Sequence, residues 1–268
     1  MNGHAATDIW KSLQEVRTKA PVVHSITNYV VMNSTANALL AVGASPVMAH
    51  AEEEVSDMVE IASALVINIG TLSREWVKSM FRAAEKAKSR SIPIILDPVG
   101  AGATPYRTGT AREIVRAFRP EIIRGNASEV MALSEDAART KGVDSSETSH
   151  AAVSAARCIH EAYGSVVCIS GETDYLIGRG PVAKVRNGHP MMTRVTGMGC
   201  AATALCGAFA SVDGEYVRAA AHAMAVMGIA GEIAAEGADG PGTLQVRFLD
   251  ALYRLTGEDI DARLKLEV

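Results

Sequence analysis

The strongest constraint on the fold is a series of short, continuously apolar runs separated by helix-length segments. The runs are Val22-Val23, Ser45-Pro46-Val47-Met48, Leu65-Val66-Ile67-Asn68-Ile69, Ile92-Pro93-Ile94-Ile95-Leu96, Ile122-Ile123 and Val166-Val167-Cys168-Ile169. Apolar runs that do not alternate with polar residues read as strands covered on both faces, and such strands are usually parallel. Helical patterns fill the gaps at 33–42, 53–63, 74–89, 111–118, 128–133 and 149–163. This alternation predicts a doubly wound α/β fold, with a mainly parallel central sheet and helices on both faces. Segments 174–177 and 182–185 read as short antiparallel additions at the sheet edge, joined through Gly178-Arg179-Gly180. The last third, at 200–211, 215–236 and 243–255, reads as Ala-rich helices. The 268 residues contain no proline-rich linker, low-complexity tract or internal repeat, so one domain spanning 1–268 is expected.

Composition removes several function classes. A net charge of −4 gives no electrostatic case for nucleic acid or an anionic membrane as partner. Cys158, Cys168, Cys200 and Cys206 show no C-x-x-C spacing and no nearby histidine pair. A zinc site or disulfide framework is therefore not expected, and a reducing, cytoplasmic compartment fits. Asp8, Lys11, Glu15, Arg17 and Lys19 break up the N-terminal stretch, which has no signal-peptide h-region. The most apolar stretch, 219–231, is too short to span a bilayer and contains His222.

In open α/β sheets, ligands bind at the carboxyl ends of the strands, so the polar residues there are the candidates for chemistry. Val195-Thr196 runs into Gly197-Met198-Gly199, and a small-residue helix begins at Cys200. Glycine allows close backbone approach, and the first helical amides, unpaired and at the positive end of the dipole, form an anion site. A cysteine on that first turn sits where its thiol is most easily ionised. The plainer reading is a tight turn before a buried helix, with Cys200 a small core residue. Asp97, at a strand end before Pro98-Val99-Gly100, suits a carboxylate approaching a metal–phosphate complex, or it caps the turn. Arg124 can fork onto phosphate oxygens. Glu129 can hold a water of hydrated Mg²⁺, or it can close a capping box with Asn126. Ser170 can meet a nucleotide phosphate, with a hairpin turn as the alternative. Asn28, in the polar stretch His24–Asn28, suits a small polar ligand, and Met48 suits a flat or sulfur-bearing ring, although turn formation and core packing explain them too. No G-x-x-x-x-G-K-[ST] is present, and Gly100-Ala101-Gly102 does not extend to G-x-G-x-x-G.

Taken together, these segments resemble the hydroxyethylthiazole kinase family of the ribokinase-like superfamily. The resemblance runs from about Pro21 to Thr243 and is carried by VHSITNYVVMNSTANALLAVGASPVMAHAEEEV, VINIGTL, ILDPVGAGATPYR, IIRGNASE, CISGETD and VTGMGCAATAL. It implies a ribokinase-like fold without a lid. The implied activity is ATP-dependent, Mg²⁺-assisted phosphorylation of the hydroxyl of 4-methyl-5-(2-hydroxyethyl)thiazole, a step of thiamine salvage. By the same resemblance, Met48, Gly197 and Asn28 contact the thiazole, Arg124 and Ser170 contact ATP, and Asp97 and Glu129 serve the Mg²⁺–phosphate assembly. The amides from Gly197 through Gly199 to Cys200 form the anion hole. A homotrimer with active sites between subunits is also implied. Most ribokinase relatives place an aspartate where Cys200 stands, so a thiol there implies weak proton removal and slow turnover. The rivals are another alcohol kinase of the superfamily, for a pyrimidine or pyridoxal substrate, and a nucleotide-dependent dehydratase of damaged nicotinamide cofactors. Cys200 speaks against both.

Overall fold

The structure, a computed structural model, describes residues 2–134 and 145–268. Six strands pair in parallel: β1 (Val22–Ile26), β2 (Ser45–Val47), β3 (Ala64–Asn68), β4 (Ile94–Asp97), β5 (Ile122–Asn126) and β6 (Val166–Ser170). Three more add antiparallel at one edge: β7 (Asp174–Ile177), β8 (Ala183–Val185) and β9 (Leu266–Glu267). The spatial order is β2-β1-β3-β4-β5-β6-β7-β8-β9. The doubly wound, mainly parallel α/β architecture expected from the apolar runs is therefore the one observed. The helices α1 (Asn2–Lys19), α2 (Met32–Val42), α8 (Met198–Ala210), α9 (Tyr216–Ala235), α10 (Pro241–Arg254) and α11 (Gly257–Arg263) cover one face. The other face carries α3 (Val55–Ile61), α4 (Arg74–Arg90), α5 (Pro105–Phe118), α6 (Ala127–Leu133) and α7 (Ser145–Tyr163).

Strand side chains divide between the two cores by the period of two. Ala64, Val66, Ile95, Ile122, Val166 and Cys168 pack on the α8 side. Their neighbours Leu65, Ile67, Ile94, Leu96, Ile123, Val167 and Ile169 pack on the α4 side. Continuing each row by two residues puts Asn68, Asp97, Arg124 and Ser170 on the α8 side as well. Register brings them together: Asn68 pairs with Asp97 across β3 and β4, and Arg124 pairs with Cys168 across β5 and β6. Helix α8 can lie directly on these strands because it is built from small residues. A Cβ added at Gly207 would stand 2.8 Å from Val66 Cγ2, so a larger residue there would force the helix off the sheet.

Several boundaries differ from those read from sequence. Strand β5 runs on through Arg124 to Asn126, and β4 starts only at Ile94, after Pro93, which has no amide to donate. Helix α5 starts at Pro105 rather than near 111, with the Thr104 side chain accepting from the Arg107 amide and Pro105 at the first position. The strand at 45–48 stops at Val47, which leaves Met48 on the following loop. Helices α1 and α11 and strand β9 were not anticipated. In α1 the buried Ile9, Leu13 and Val16 form an apolar stripe between charged residues. From the same helix, Arg17 donates to the carbonyls of Leu252, Tyr253 and Leu255 and so closes the C-terminus of α10. The one helix among the described residues long and apolar enough to cross a membrane is α9, and 78% of its apolar window is buried inside this fold.

His222 on α9 is buried, with Nδ1 2.9 Å from Ser12 Oγ on α1. Burial lowers its pKa to about 4, and Arg218 adds to the effect, while Asp213 and Asp8 oppose it. The depressed value means that the folded state stays neutral while the unfolded chain takes up a proton below about 6.5. The stability His222 contributes is present above that pH and is lost as pH falls toward 4. His222→Gln cannot titrate. Urea unfolding is expected to show wild type losing stability relative to this variant between pH 6.5 and 4, and a pH-independent difference would contradict it.

Candidate active site

The turn Val195-Thr196-Gly197 delivers the chain to α8 with Gly197 in the left-handed region, at φ 85. A Cβ at Gly197 would lie 2.9 Å from Val31 Cγ1, so both the conformation and the space call for glycine. No side chain caps this helix, so its first amides stay available. The Arg124 guanidinium lies against the same turn, where a Cβ at Gly199 would meet Arg124 Nη1 at 2.6 Å. Its buried Nε has no hydrogen-bond partner among the described residues. Burial works against its charge, but Asp97 and Asp174 outweigh that and hold its pKa above the ordinary value. Arg124, Ser170, Gly197 and Gly199 line one cleft of about 610 Å³, whose further wall includes Met192 and Met227. That volume suits a ligand of nucleotide size.

Behind the turn runs a chain of buried polar groups. Asn28 Nδ2 lies 3.6 Å from Cys200 Sγ and donates to Asn68 Oδ1 at 2.9 Å. Asn68 Nδ2 donates to Asp97 Oδ2 at 2.8 Å, and Thr203 Oγ1, on α8, lies 2.9 Å from the same oxygen. Asp97 is only 1% exposed, and burial raises its pKa to about 6, with Arg124 opposing the shift and Glu129 adding to it. The carboxylate is therefore largely ionised at neutral pH.

Cys200 corrects the sequence reading. Its thiol is not readily ionised: burial pushes its pKa up to about 11, and the negative charge of Asp97 adds to this, outweighing the Asn68, Asn28 and Arg124 contributions. The half-buried position behind the turn, beside the Asp97 carboxylate, is the cause. Glu129 serves the capping box in full. Its Oε2 accepts from the Asn126 amide at 2.8 Å, and the Asn126 side chain accepts from the Glu129 amide. Glu129 Oε1 also accepts from the Gly100 amide at 2.8 Å, tying the Asp97 turn to α6. Ser170 Oγ donates to the Gly125 carbonyl at 3.3 Å and borders the cleft. Met48 is half-buried, packs against the core on the α8 side and does not line the cleft.

Three positioning groups escaped the sequence reading. Asn68 was visible only as the one polar residue in an apolar run, and Thr203 was hidden in an Ala-rich helix. Arg107, from α5, donates to the carbonyls of Ile69 (3.0 Å), Val99 (2.8 Å) and Gly70 (2.7 Å). One planar fork thereby ties together the loops that follow β3 and β4.

The sheet order, with helices on both faces, is that of a ribokinase-like α/β fold. Pyridoxal kinase from Staphylococcus aureus, in complex with pyridoxal, superposes with a TM-score of 0.64 at 16% identity over 92% of this chain and 97% of that one, a likeness of fold alone. The hydroxyethylthiazole kinase structure from Pyrococcus horikoshii superposes with a TM-score of 0.90 at 42% identity, covering 97% of this chain and 98% of that one. The sequence matches the profile of the hydroxyethylthiazole kinase family over residues 13–258. A hydroxyethylthiazole kinase of Syntrophus aciditrophicus is 63% identical over 258 residues, 96% of both chains. One from Leptospira biflexa is 53% identical over 264 residues, 98% of this chain and 99% of its own. The chain belongs to the hydroxyethylthiazole kinase family.

Two outcomes follow from this geometry. Arg107→Ala leaves three carbonyls without their charged donor and is expected to cost about 2–3 kcal/mol in urea unfolding. Arg107→Lys should recover only part of it, because an ammonium cannot reproduce the fork. The protonated Cys200 thiol is expected to react with iodoacetamide more slowly than the exposed Cys158 at pH 8, and faster as pH rises toward 11. Peptide mass spectrometry reads both sites, and preferential labelling of Cys200 at pH 8 would contradict the assignment.

Proposed function

We propose that this chain transfers the γ-phosphoryl group of ATP to the hydroxyl of hydroxyethylthiazole, giving the thiazole phosphate and ADP in thiamine salvage. The observation that carries the reading is the uncapped start of α8, with Arg124 against it and the Asn28–Asn68–Asp97 chain behind it. The kinase names of close relatives support the same activity. ATP lies in the cleft, with Arg124 and Ser170 on its phosphates and the γ-phosphoryl group over the amides of Gly197 to Cys200. The alcohol lies on the Asn28 and Cys200 side of the turn, with Met48 against the thiazole ring.

In the transfer, the alcohol oxygen forms a bond to phosphorus and the bond to the ADP oxygen breaks. Amides and Arg124 meet the charge on the transferring group without having to reorganise. The transition state is loose, so the alcohol proton leaves late, to an oxygen of the transferred phosphoryl group and from there to water, and no strong base is required. Cys200, protonated at neutral pH, then aligns the hydroxyl more than it deprotonates it. Slow turnover is the consequence.

Asp97, and Glu129 through a water, would hold a Mg²⁺ ion, which would supply positive charge to the phosphate oxygens. Asp97 fits such an ion, because its donors converge on Oδ2 and none among the described residues reaches Oδ1. Glu129 already accepts an amide at each oxygen, so its part is through a water.

Residues 1–268 act as one domain in this reading, which a single nine-stranded sheet supports. We also propose a cytoplasmic homotrimer with sites between subunits. The four free cysteines support the compartment. Leu40, Val246 and Tyr253, exposed on the adjoining helices α2 and α10, support the self-association. The test is ADP release from Mg²⁺–ATP with the thiazole alcohol, and the product weighed by mass spectrometry. Thiazole-dependent ADP and one added phosphate are expected. No thiazole-dependent ADP from protein that binds ATP would contradict the proposal.

A further inference from the structure

The amide of Asn68 makes three hydrogen bonds, and its orientation is set by its neighbours. Oδ1 accepts from Asn28 Nδ2 and from the Gly70 amide, each at 2.9 Å, while Nδ2 donates to Asp97 Oδ2 at 2.8 Å. Flipping the amide would set its NH₂ against two donors and its oxygen against a carboxylate, losing all three bonds. Asn28 is gripped in turn. Its Oδ1 accepts from the Val30 amide at 3.1 Å, and a Cβ at Gly70 would lie only 2.6 Å from its Nδ2. On the far side, Thr203 Oγ1 lies 2.9 Å from Asp97 Oδ2 and 3.2 Å from the Gly199 carbonyl. Its single proton favours the charged acceptor. Asn28, Asn68, Asp97 and Thr203 are all buried, so none of these bonds competes with bulk water.

We propose that Asn68 is a positioning residue that couples the two halves of the site. One side-chain amide holds Asn28 on the alcohol side and Asp97 on the phosphate side, with Thr203 as the second hold on Asp97. The geometry explains why both holds fall on Oδ2: this carboxylate oxygen is committed to the protein and the other is left for the phosphate assembly. This assignment rests on the phosphotransfer reading given above. Asn68 touches neither substrate nor reacting atoms, and its effect passes through Asn28, Asp97 and the Cys200 thiol beside them.

The experiment compares wild type with Asn68→Ala, Asn28→Ala, the double variant, Thr203→Val and Thr203→Ser. Three quantities are measured: melting temperature, thiazole-alcohol affinity by calorimetry without nucleotide or metal, and kcat at saturating substrates. Asn68→Ala is expected to weaken thiazole binding about tenfold through Asn28 and to lower kcat about 100-fold through Asp97. The double variant Asn28→Ala/Asn68→Ala is expected to bind within about twofold of the weaker single variant, since both remove one hold. Thr203→Val keeps the shape but not the donor. It should lower kcat about tenfold with affinity within about twofold of wild type, and Thr203→Ser should restore kcat.

A structural role alone would lower the melting temperature while leaving kcat per folded molecule and affinity within about twofold of wild type, and that result overturns the assignment. If Asn68→Ala does not fold, the Thr203 pair decides: unchanged kcat in Thr203→Val overturns it, and a loss rescued by Thr203→Ser supports it. Wild-type protein without thiazole-dependent turnover overturns the phosphotransfer reading and this assignment with it. Active wild type with an unaltered Asn68→Ala overturns only the assignment.

Discussion

A carboxylate buried as completely as Asp97 costs several kcal/mol unless donors and a cation answer it. Asn68 and Thr203 supply the donors, and the Arg124 guanidinium supplies the opposing charge. These groups come from β3, α8 and β5, so the end of β4 is tolerable only when three other elements are in place. The requirement is strict in a sheet. Slipping one strand by a single residue would turn its polar terminus away from α8 and toward the other core. The pairings Asn68 with Asp97 and Arg124 with Cys168 are therefore part of the site as much as of the fold.

The loops around this carboxylate are held as firmly as the strands beneath them. Arg107 ties the backbone after β3 to the backbone after β4, and Glu129 ties the Asp97 turn to the start of α6. Helix α8 completes the arrangement from above. Its small residues let it rest on the sheet, and the glycine turn before it leaves its first amides uncapped. The amides, guanidinium and carboxylate are thus in position before any ligand arrives. Phosphoryl transfer asks for that kind of preorganised positioning and charge neutralisation.

Much of this was legible in the sequence. Unbroken apolar runs between helical patterns announce a doubly wound sheet, and the rule that ligands gather at strand C-termini points to Asp97, Arg124 and Ser170. Gly197-Met198-Gly199 announced the helix-start turn by composition alone. What escaped were groups whose importance comes from partners distant in the chain. Asn68 is 29 residues from Asp97, and Thr203 is 106 residues from it. Arg107 sat inside a recognised motif, but the three carbonyls it grips belong to loops that only the fold brings together. How far the Cys200 thiol resists ionisation was not legible, because position on a helix can be read from sequence, whereas burial beside a carboxylate cannot. In helix α1 the Ile9, Leu13 and Val16 stripe is interleaved with Lys11, Glu15 and Arg17, so its helical period is masked in the sequence.

The proposed transfer depends on the first amides of α8 receiving the phosphoryl group. The most direct measurement is a crystal structure with Mg²⁺–ADP, the thiazole alcohol and a planar metal-fluoride mimic of the phosphoryl group. The expected result has the mimic on the amides of Gly197 to Cys200, Arg124 against it, and the thiazole hydroxyl between it and the Asn28 and Cys200 side chains. A mimic bound elsewhere in the cleft, with those amides facing only water, would contradict the account.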